Sequence, residues 1–552
     1  MINFKKKLRS IFTVENAPFL IVILFYITNI NYIHYGGIFY DDWSLATGYL
    51  ETDLLERIKI NCLLFFNTRP VGGLYVALIT SVGKNDLFYI LLNSSLWVLS
   101  GLILHKTISK IYTHQTANIF LIFFLFPSFA STPFFSPVTQ SLGGLSIFFW
   151  SLSLYFSYRK NFFLTFILYS LSILSYEVSV VLFLFNVFFF IKNDNNEKIN
   201  KIIIYKQLKD LILKFSLLIF FIIILQFGLA KLTGNIAPLK YSFAIIDNQI
   251  IFENEFFLNI KKYFFKPLGL IFIDIPNLFL NSLQFIKFNF YNTLSYLAIV
   301  FVFIFIFFKK DKKYIHYKKA DYYYQILLFI FIVFSSAFVF IMYLIVSSVP
   351  QVNGYYNRGL LGLFICYSFA IVFLREIRIK KKQSMLLSIF LFIFIFLNFN
   401  SFFIQKNNHI DANKKREEIL IKVKNFFKNK NPSNLVMFVP TYLSNNYNDE
   451  VIFSEEVGDL NFAIRYVTKG KVEGSRVFYS PKCANILNIN NNSLYGYVPS
   501  RNKKNKNKIL ITLIDKIDNK DLYLFYNNKF VKLTNNNLIN NQTLNKNIKC
   551  SL

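Results

Sequence analysis

Residues 162–191 read FFLTFILYSLSILSYEVSVVLFLFNVFFFI, thirty positions whose one formal charge is Glu177. As a single helix at about 1.5 Å per residue the stretch would run about 45 Å, half again the roughly 30 Å of a bilayer's hydrocarbon core. It therefore reads as two short spans with Tyr176-Glu177 at the turn between them. A carboxylate within lipid is costly, whereas one at the tip of a turn or facing a cavity is not. The division of this run sets the parity of the chain, and with it the side of the membrane on which every later loop lies.

The same material recurs on either side. Apolar runs at 18–35, 86–105, 117–133 and 138–157 precede it, and runs at 213–232, 292–308, 325–348, 357–374 and 384–403 follow. Together they predict an α-helical polytopic membrane protein of about eleven spans, because helices satisfy their backbone polar groups internally in lipid. Composition agrees: 54% of residues are hydrophobic and 16% charged, against about 25% charged in soluble chains. The run at 18–35 has no small-residue cleavage site and is followed by more spans, so it is not a removable signal peptide.

The net charge of +30 would point to nucleic acid in a soluble protein. Here the lysines fall between apolar runs, which makes them orientation signals, and no nucleic-acid partner is expected. Lys5-Lys6-Lys7-Leu8-Arg9 places the N-terminus in the cytoplasm by the positive-inside rule. Lys106 and Lys110, Arg159-Lys160, the lysines of 192–214, Lys309 to Lys319, and Arg375 to Lys382 then all fall inside. The large loops at about 36–85 and 233–290 fall outside. An odd number of spans leaves the C-terminus outside, and the expected location is a bacterial cytoplasmic (inner) membrane.

The chain divides into a membrane domain, 1–404, and a tail, 405–552, rich in Asn and Lys. Ile419, Leu420, Val423, Phe426 and Phe427 recur at helical spacing, and the runs from Leu435, Ile509 and Leu522 read as strands. A small α+β extramembrane domain follows, in which Cys483 and Cys550 could pair in an oxidising compartment. No Cys/His spacing resembles a zinc site.

Three features could carry chemistry. Tyr40-Asp41-Asp42-Trp43 follows the first span; adjacent carboxylates can act as a general base or hold a divalent cation, and the rings suit a sugar or the lipid interface. The plainer alternative is a solvated turn capping a helix. Tyr176-Glu177 is the second. The third is basic: Arg69, in Arg69-Pro70-Val71-Gly72-Gly73, and Arg358, which follows Asn353-Gly354-Tyr355-Tyr356-Asn357. Outer arginines run against the orientation bias, so they bind phosphate, lipid headgroups or the carboxylates of Asp41, Asp42 or Glu177.

In this order the residues resemble the GT-C class of integral-membrane glycosyltransferases, and among them bacterial glucosyltransferases that modify O-antigen, the outer part of lipopolysaccharide. The likeness rests on Asp41-Asp42-Trp43, Arg69 to Gly73, Tyr176-Glu177, and Asn353 to Arg358, and extends in architecture over about 15–403. It implies an enzyme that takes a sugar from a polyprenyl-phosphate donor to a glycan or lipid-linked acceptor on the outer face, fed by a donor synthase and a flippase. By that likeness Asp41 or Asp42 is the base, and Arg358 and Arg69 neutralise the leaving phosphate. Glu177 with Tyr176, Trp43 and Tyr355 would orient sugar or acceptor. Inversion follows if the transfer is a single displacement, no cofactor is required, and a divalent cation on Asp41 and Asp42 stays open. A polysaccharide polymerase or ligase, and a lipid-linked-oligosaccharide flippase or transporter, are the competing readings.

Overall fold

The computed structural model describes residues 16–39, 42–47, 52–66, 68–83, 85–192, 201–233, 269–285, 320–346, 355–377 and 381–430, the tail elements named below, and a few isolated positions. Tyr40, Asp41, Asn353, Cys483, Cys550, the segment 234–268 and most of the run at 292–308 lie outside them. Contacts divide the chain into two compact units, Met1–Gly36 with Asp53–Asn407, and Gly37–Thr52 with Asn408–Leu552.

The first unit is helical. Among the described residues six helical stretches are long and apolar enough to cross a membrane: Ala17–Tyr35, Asp86–Ile111, Ile204–Leu229, Tyr323–Phe340, Asn357–Glu376 and Met385–Asn429. The chain is thus a helical membrane protein. Shorter helices fill the space between them. Ser141–Tyr158 and Phe162–Ser175 pack side by side, and Ser141–Tyr158 also lies along Asp86–Ile111.

The break inside 162–191 is where the carboxylate marks it. The helix ends at Ser175, Tyr176 is extended (φ −162°, ψ 128°), a 3-10 turn runs Glu177–Leu182, and a helix resumes at Phe183–Lys192. The Tyr169 hydroxyl donates to the Val180 carbonyl at 2.9 Å, tying the turn back to the preceding helix.

The run at 117–133 departs from expectation. Its helix, His114–Leu125, is only 12 residues, about 18 Å long and short of a full crossing. Pro127 explains the stop, since the residue before a proline is driven out of the helical region and Pro itself has no N–H to give. Residues 126–138 then run as buried irregular chain with one short helix, Thr132–Phe135. Such backbone is tolerated at depth only where protein satisfies it. Asn398 donates to the Phe126 carbonyl at 2.8 Å and accepts from Ser128 at 2.6 Å. Asn93 donates to the carbonyls of Pro133 and Phe134 at 2.8 and 3.0 Å. Asn357 accepts from the Thr132 amide at 2.9 Å and donates to the Ser131 hydroxyl at 3.0 Å. A second asparagine knot joins helices: Asn186 accepts from the Trp150 indole at 3.0 Å and donates to Ser153 and Ser157 at 2.7 and 2.9 Å.

A single helix runs Lys381–Asn429 where the sequence reads two pieces, 384–403 and 414–428. No Gly or Pro interrupts it, so the polar stretch from Gln405 to Asn408 continues the helix instead of opening a linker. Its residues to 407 belong to the first unit and those from 408 to the second.

In the second unit the strands Val477–Tyr479, Leu435–Phe438, Leu522–Tyr526 and Lys529–Lys532 form a sheet in that order, parallel except for the last pair. Leu435-Val436-Met437-Phe438 lies between two parallel partners, a position that favours unbroken apolar sequence. The helix Val457–Val467 falls between the strands Leu435–Phe438 and Val477–Tyr479 in the chain. Phe426 stacks on Phe530 at 4.2 Å and meets Tyr523 edge-on at 4.8 Å, so helix residues cover the sheet. A separate antiparallel sheet pairs Asn488–Asn490, Ser493–Pro499 and Ile509–Lys516.

Candidate functional site

The basic motif is built by its own proline and glycines. Pro70 opens the helix Pro70–Val82, where its missing N–H costs nothing. Arg69 just before it is held out of the helix (φ −134°, ψ 57°). Gly72 lies against the end of Phe162–Ser175: a Cβ there would stand 2.7 Å from the Ser175 carbonyl oxygen. Gly73 backs onto Asn61, whose carbonyl oxygen would be 2.9 Å from a Cβ. Two successive glycines thus let the helix press against two backbones at once. Gln226 adds a third hold by donating to the Thr68 carbonyl at 2.6 Å.

That approach delivers Arg69 to the turn at Tyr176-Glu177. The Arg69 guanidinium donates through Nε and Nη2 to the two carboxylate oxygens of Glu177, a bidentate ion pair. It also lies over the Tyr176 ring, 4.5 Å from the centroid. The side chains keep 27% and 34% of their exposure, so the pair is half-open to solvent and not sealed in the core. Tyr176 is fixed through its backbone, since its carbonyl accepts from Ser146 at 3.0 Å.

Arg358 sits on the 3-10 turn Tyr355–Leu360, whose Asn357 is anchored to Ser131 and Thr132. Its charge acts on Glu177. Burial pushes the Glu177 carboxyl up, but the charge and hydrogen bonds of Arg69 outweigh it, Arg358 adds to them, and the group sits below the usual carboxylate value. These two arginines and one glutamate carry one net positive charge among the three of them. The sequence proposed each of these residues, with the carboxylates named as alternative partners for the arginines. The structure pairs Arg69 with Glu177. The Tyr355 side chain lies outside what is described.

The acidic pair belongs to the second unit, in which Asp42–Ala46 forms a short helix. Asp42 is fully buried, and its Oδ2 accepts from the Phe39 amide at 3.2 Å. It therefore closes a buried turn before the helix, where the plainer reading of the sequence expects a solvated turn capping it. Trp43 is buried and meets Tyr466 edge-on at 5.5 Å, a packing contact that leaves little of the ring for a sugar. The loop leading to Asp42 is clamped by residues that sequence reasoning passed over. Arg416, 2% exposed, donates to the Ile38 carbonyl at 2.9 Å and lies over the Phe39 ring at 4.0 Å. His409 meets that ring edge-on at 4.9 Å. The available signal was Arg416 itself, which lies three residues before Ile419 and so on the apolar face of that helix.

Among the described residues no group of three or more His, Cys, Asp and Glu could hold a metal ion, and Asp41 lies outside them. Long apolar helices define the class as a membrane-embedded helical protein. No family model, curated protein or solved structure matches the chain.

Proposed function

We propose that the chain is a membrane glycosyltransferase that moves a sugar from a polyprenyl-phosphate donor to a glycan acceptor on the outer face of a bacterial cytoplasmic membrane. The observation that supports this best is the cluster of Arg69, Tyr176, Glu177 and Arg358, set among apolar helices and partly open to solvent. Its net positive charge suits the anionic leaving group of such a donor, which departs without a strong general acid. Arg358 is assigned to the leaving phosphate, the preorganised charge stabilisation that often dominates transfer of this kind. Arg69, already bound to Glu177, holds that carboxylate and Tyr176 in place to orient the sugar.

On this reading about eleven spans carry the cluster to the outer side and leave the tail outside. The base is an aspartate of the pair after the first span, a role that rests on the resemblance alone. Because Asp42 is buried and holds a backbone amide, Asp41 is the better choice.

A second reading is favoured by the ion pair itself: Arg69 and Glu177 satisfy each other, as two residues of a purely structural strut would. Sugar transfer by membranes carrying Asp41→Asn, Asp42→Asn, Glu177→Gln or Arg358→Ala, each at normal protein level, separates the two. Loss of transfer in Asp41→Asn and Arg358→Ala supports the enzyme; wild-type glycan profiles in all four leave the strut.

A further inference from the structure

Three helical pieces run without a break from Leu270 to Phe285: a π turn, Leu270–Asp274, an α-helix, Ile275–Ser282, and a 3-10 turn, Leu283–Phe285. Pro276 stands at the start of the α-helix, where its missing N–H costs nothing. At about 1.5 Å per residue the stretch is about 24 Å long, short of the roughly 30 Å of hydrocarbon. Its residues sort into three faces, each displaced from the last by one residue, which on a helix is about 100°. Ile275, Phe279 and Ser282 are buried. One residue on, Leu280 and Leu283 are 57% and 44% exposed. One residue further, Asn277, Asn281 and Gln284 are exposed. The π turn adds to both open faces, with Phe272 and Ile273 72% and 58% exposed and Asp274 exposed beside them.

The buried face is fixed to protein. The Phe279 ring meets Phe394 of the long helix edge-on at 5.3 Å and Phe129 of the irregular chain at 6.3 Å. Asn400 donates to the Ser282 carbonyl at 2.7 Å and to the Ser282 hydroxyl at 3.0 Å. Among the described residues of the long helix, the large apolar side chains that it exposes run from Met385 to Ile393, and the next is Ile421. The short helix thus packs just past the end of the flank that a membrane-crossing helix turns to lipid.

We propose that Leu270–Phe285 is an interfacial helix, lying along the membrane surface. Phe272, Ile273, Leu280 and Leu283 sit among the upper acyl chains of glycerophospholipids, and Asp274, Asn277, Asn281 and Gln284 among their headgroups and water. Sunk wholly in hydrocarbon, the row of side-chain amides would lose its hydration. Wholly in water, the apolar row would stay open. A boundary running lengthwise between the two matches the change of polarity at a bilayer surface. No Lys or Arg falls between Leu270 and Phe285, so the attachment draws on apolar area and not on anionic headgroups. This surface is independent of the arginine cluster and of any sugar chemistry.

The test uses the full chain in phosphatidylcholine bilayers, with Ile273→Trp, Asn277→Trp, Leu280→Trp, Asn281→Trp and Leu283→Trp made singly on exposed positions and the wild-type signal subtracted. Lipids brominated at successive acyl carbons report depth, and acrylamide reports water. Ile273→Trp, Leu280→Trp and Leu283→Trp are expected about 5–10 Å into the headgroup and acyl boundary, quenched by bromine and little by acrylamide. Asn277→Trp and Asn281→Trp should show the reverse order. Ile273→Trp and Leu283→Trp should report the same depth, whereas a helix stood on end would separate them by about 15 Å. Equal acrylamide quenching at all five positions, or that separation in depth, overturns the proposal. So does protection of the apolar row from both quenchers, the mark of a second copy or another segment covering it. The same order is expected in phosphatidylglycerol bilayers, and a pattern found only with that anionic lipid also overturns it.

Discussion

Breaking the Arg69–Glu177 pair from either side tests how the site is built. Charge-assisted hydrogen bonds contribute about 1.5–3 kcal/mol each when well formed, exposed pairs only about 0–1 kcal/mol, and removing one partner of a buried pair costs about 3–5 kcal/mol. With 27% and 34% exposure, this bidentate pair falls between those limits. Glu177→Gln is therefore expected to cost about 1–2 kcal/mol. Arg69→Met should cost more, about 2–3 kcal/mol, because it also removes the stacking on Tyr176, itself about 0.5–1 kcal/mol. The double variant should be less destabilised than the sum of the two by about 1 kcal/mol, the coupling of the pair. Denaturant titration of the purified chain in detergent, followed by near-ultraviolet signal, measures all three. Strict additivity within about 0.3 kcal/mol would refute the pairing, and a larger loss in Glu177→Gln than in Arg69→Met would refute the role given to Tyr176.

Three further outcomes follow from the same geometry. Gly72→Val should displace the helix Pro70–Val82 from Ser175, whose carbonyl oxygen a Cβ would approach to 2.7 Å. The loss should match that of Arg69→Met in the same titration, while Gly228→Ala, where nothing lies within 4 Å, should be neutral. Asn398→Ala leaves the Phe126 carbonyl and the Ser128 hydroxyl without this partner; a loss of about 2–3 kcal/mol in thermal or denaturant unfolding is expected, from roughly 1 kcal/mol or more per orphaned buried group. The pair also fixes a pH response. Because Glu177 is held below its usual carboxylate value of 4.5, its contribution is fully present above that value. It is lost as pH falls below that value and through the lower folded one, so wild type but not Glu177→Gln should lose this increment on acidification below about pH 4.5.

Much of the fold could be read from apolar length. The thirty residues around Glu177 are too long for one crossing and carry their charge near the middle, and the helix does end at Ser175. Arg69-Pro70-Val71-Gly72-Gly73 was legible as a motif because proline and glycine act locally, through a helix start and a close approach. Which carboxylate Arg69 meets was not, since the partner lies 108 residues away and is selected by helix packing. Apolar content also concealed Pro127: hydropathy averages over it, whereas the backbone cannot, and His114–Leu125 stops short. The asparagines that repair the resulting gap, Asn93, Asn357 and Asn398, look like isolated polar residues in sequence. Polar residues also hid the continuity of Lys381–Asn429, which depends on the absence of breakers and not on hydropathy. The grouping of Gly37–Thr52 with the tail depends on contacts with Arg416 and Tyr466 that no local pattern encodes.

The most direct test of the enzyme reading follows a labelled sugar from polyprenyl phosphate to glycan in right-side-out membrane vesicles that either contain or lack the chain. The account predicts that label moves to the acceptor only where the chain is present, that it does so from donor supplied on the outer side, and that Arg358→Ala at equal protein level stops it. Equal transfer with and without the chain, or undiminished transfer by Arg358→Ala, would contradict it.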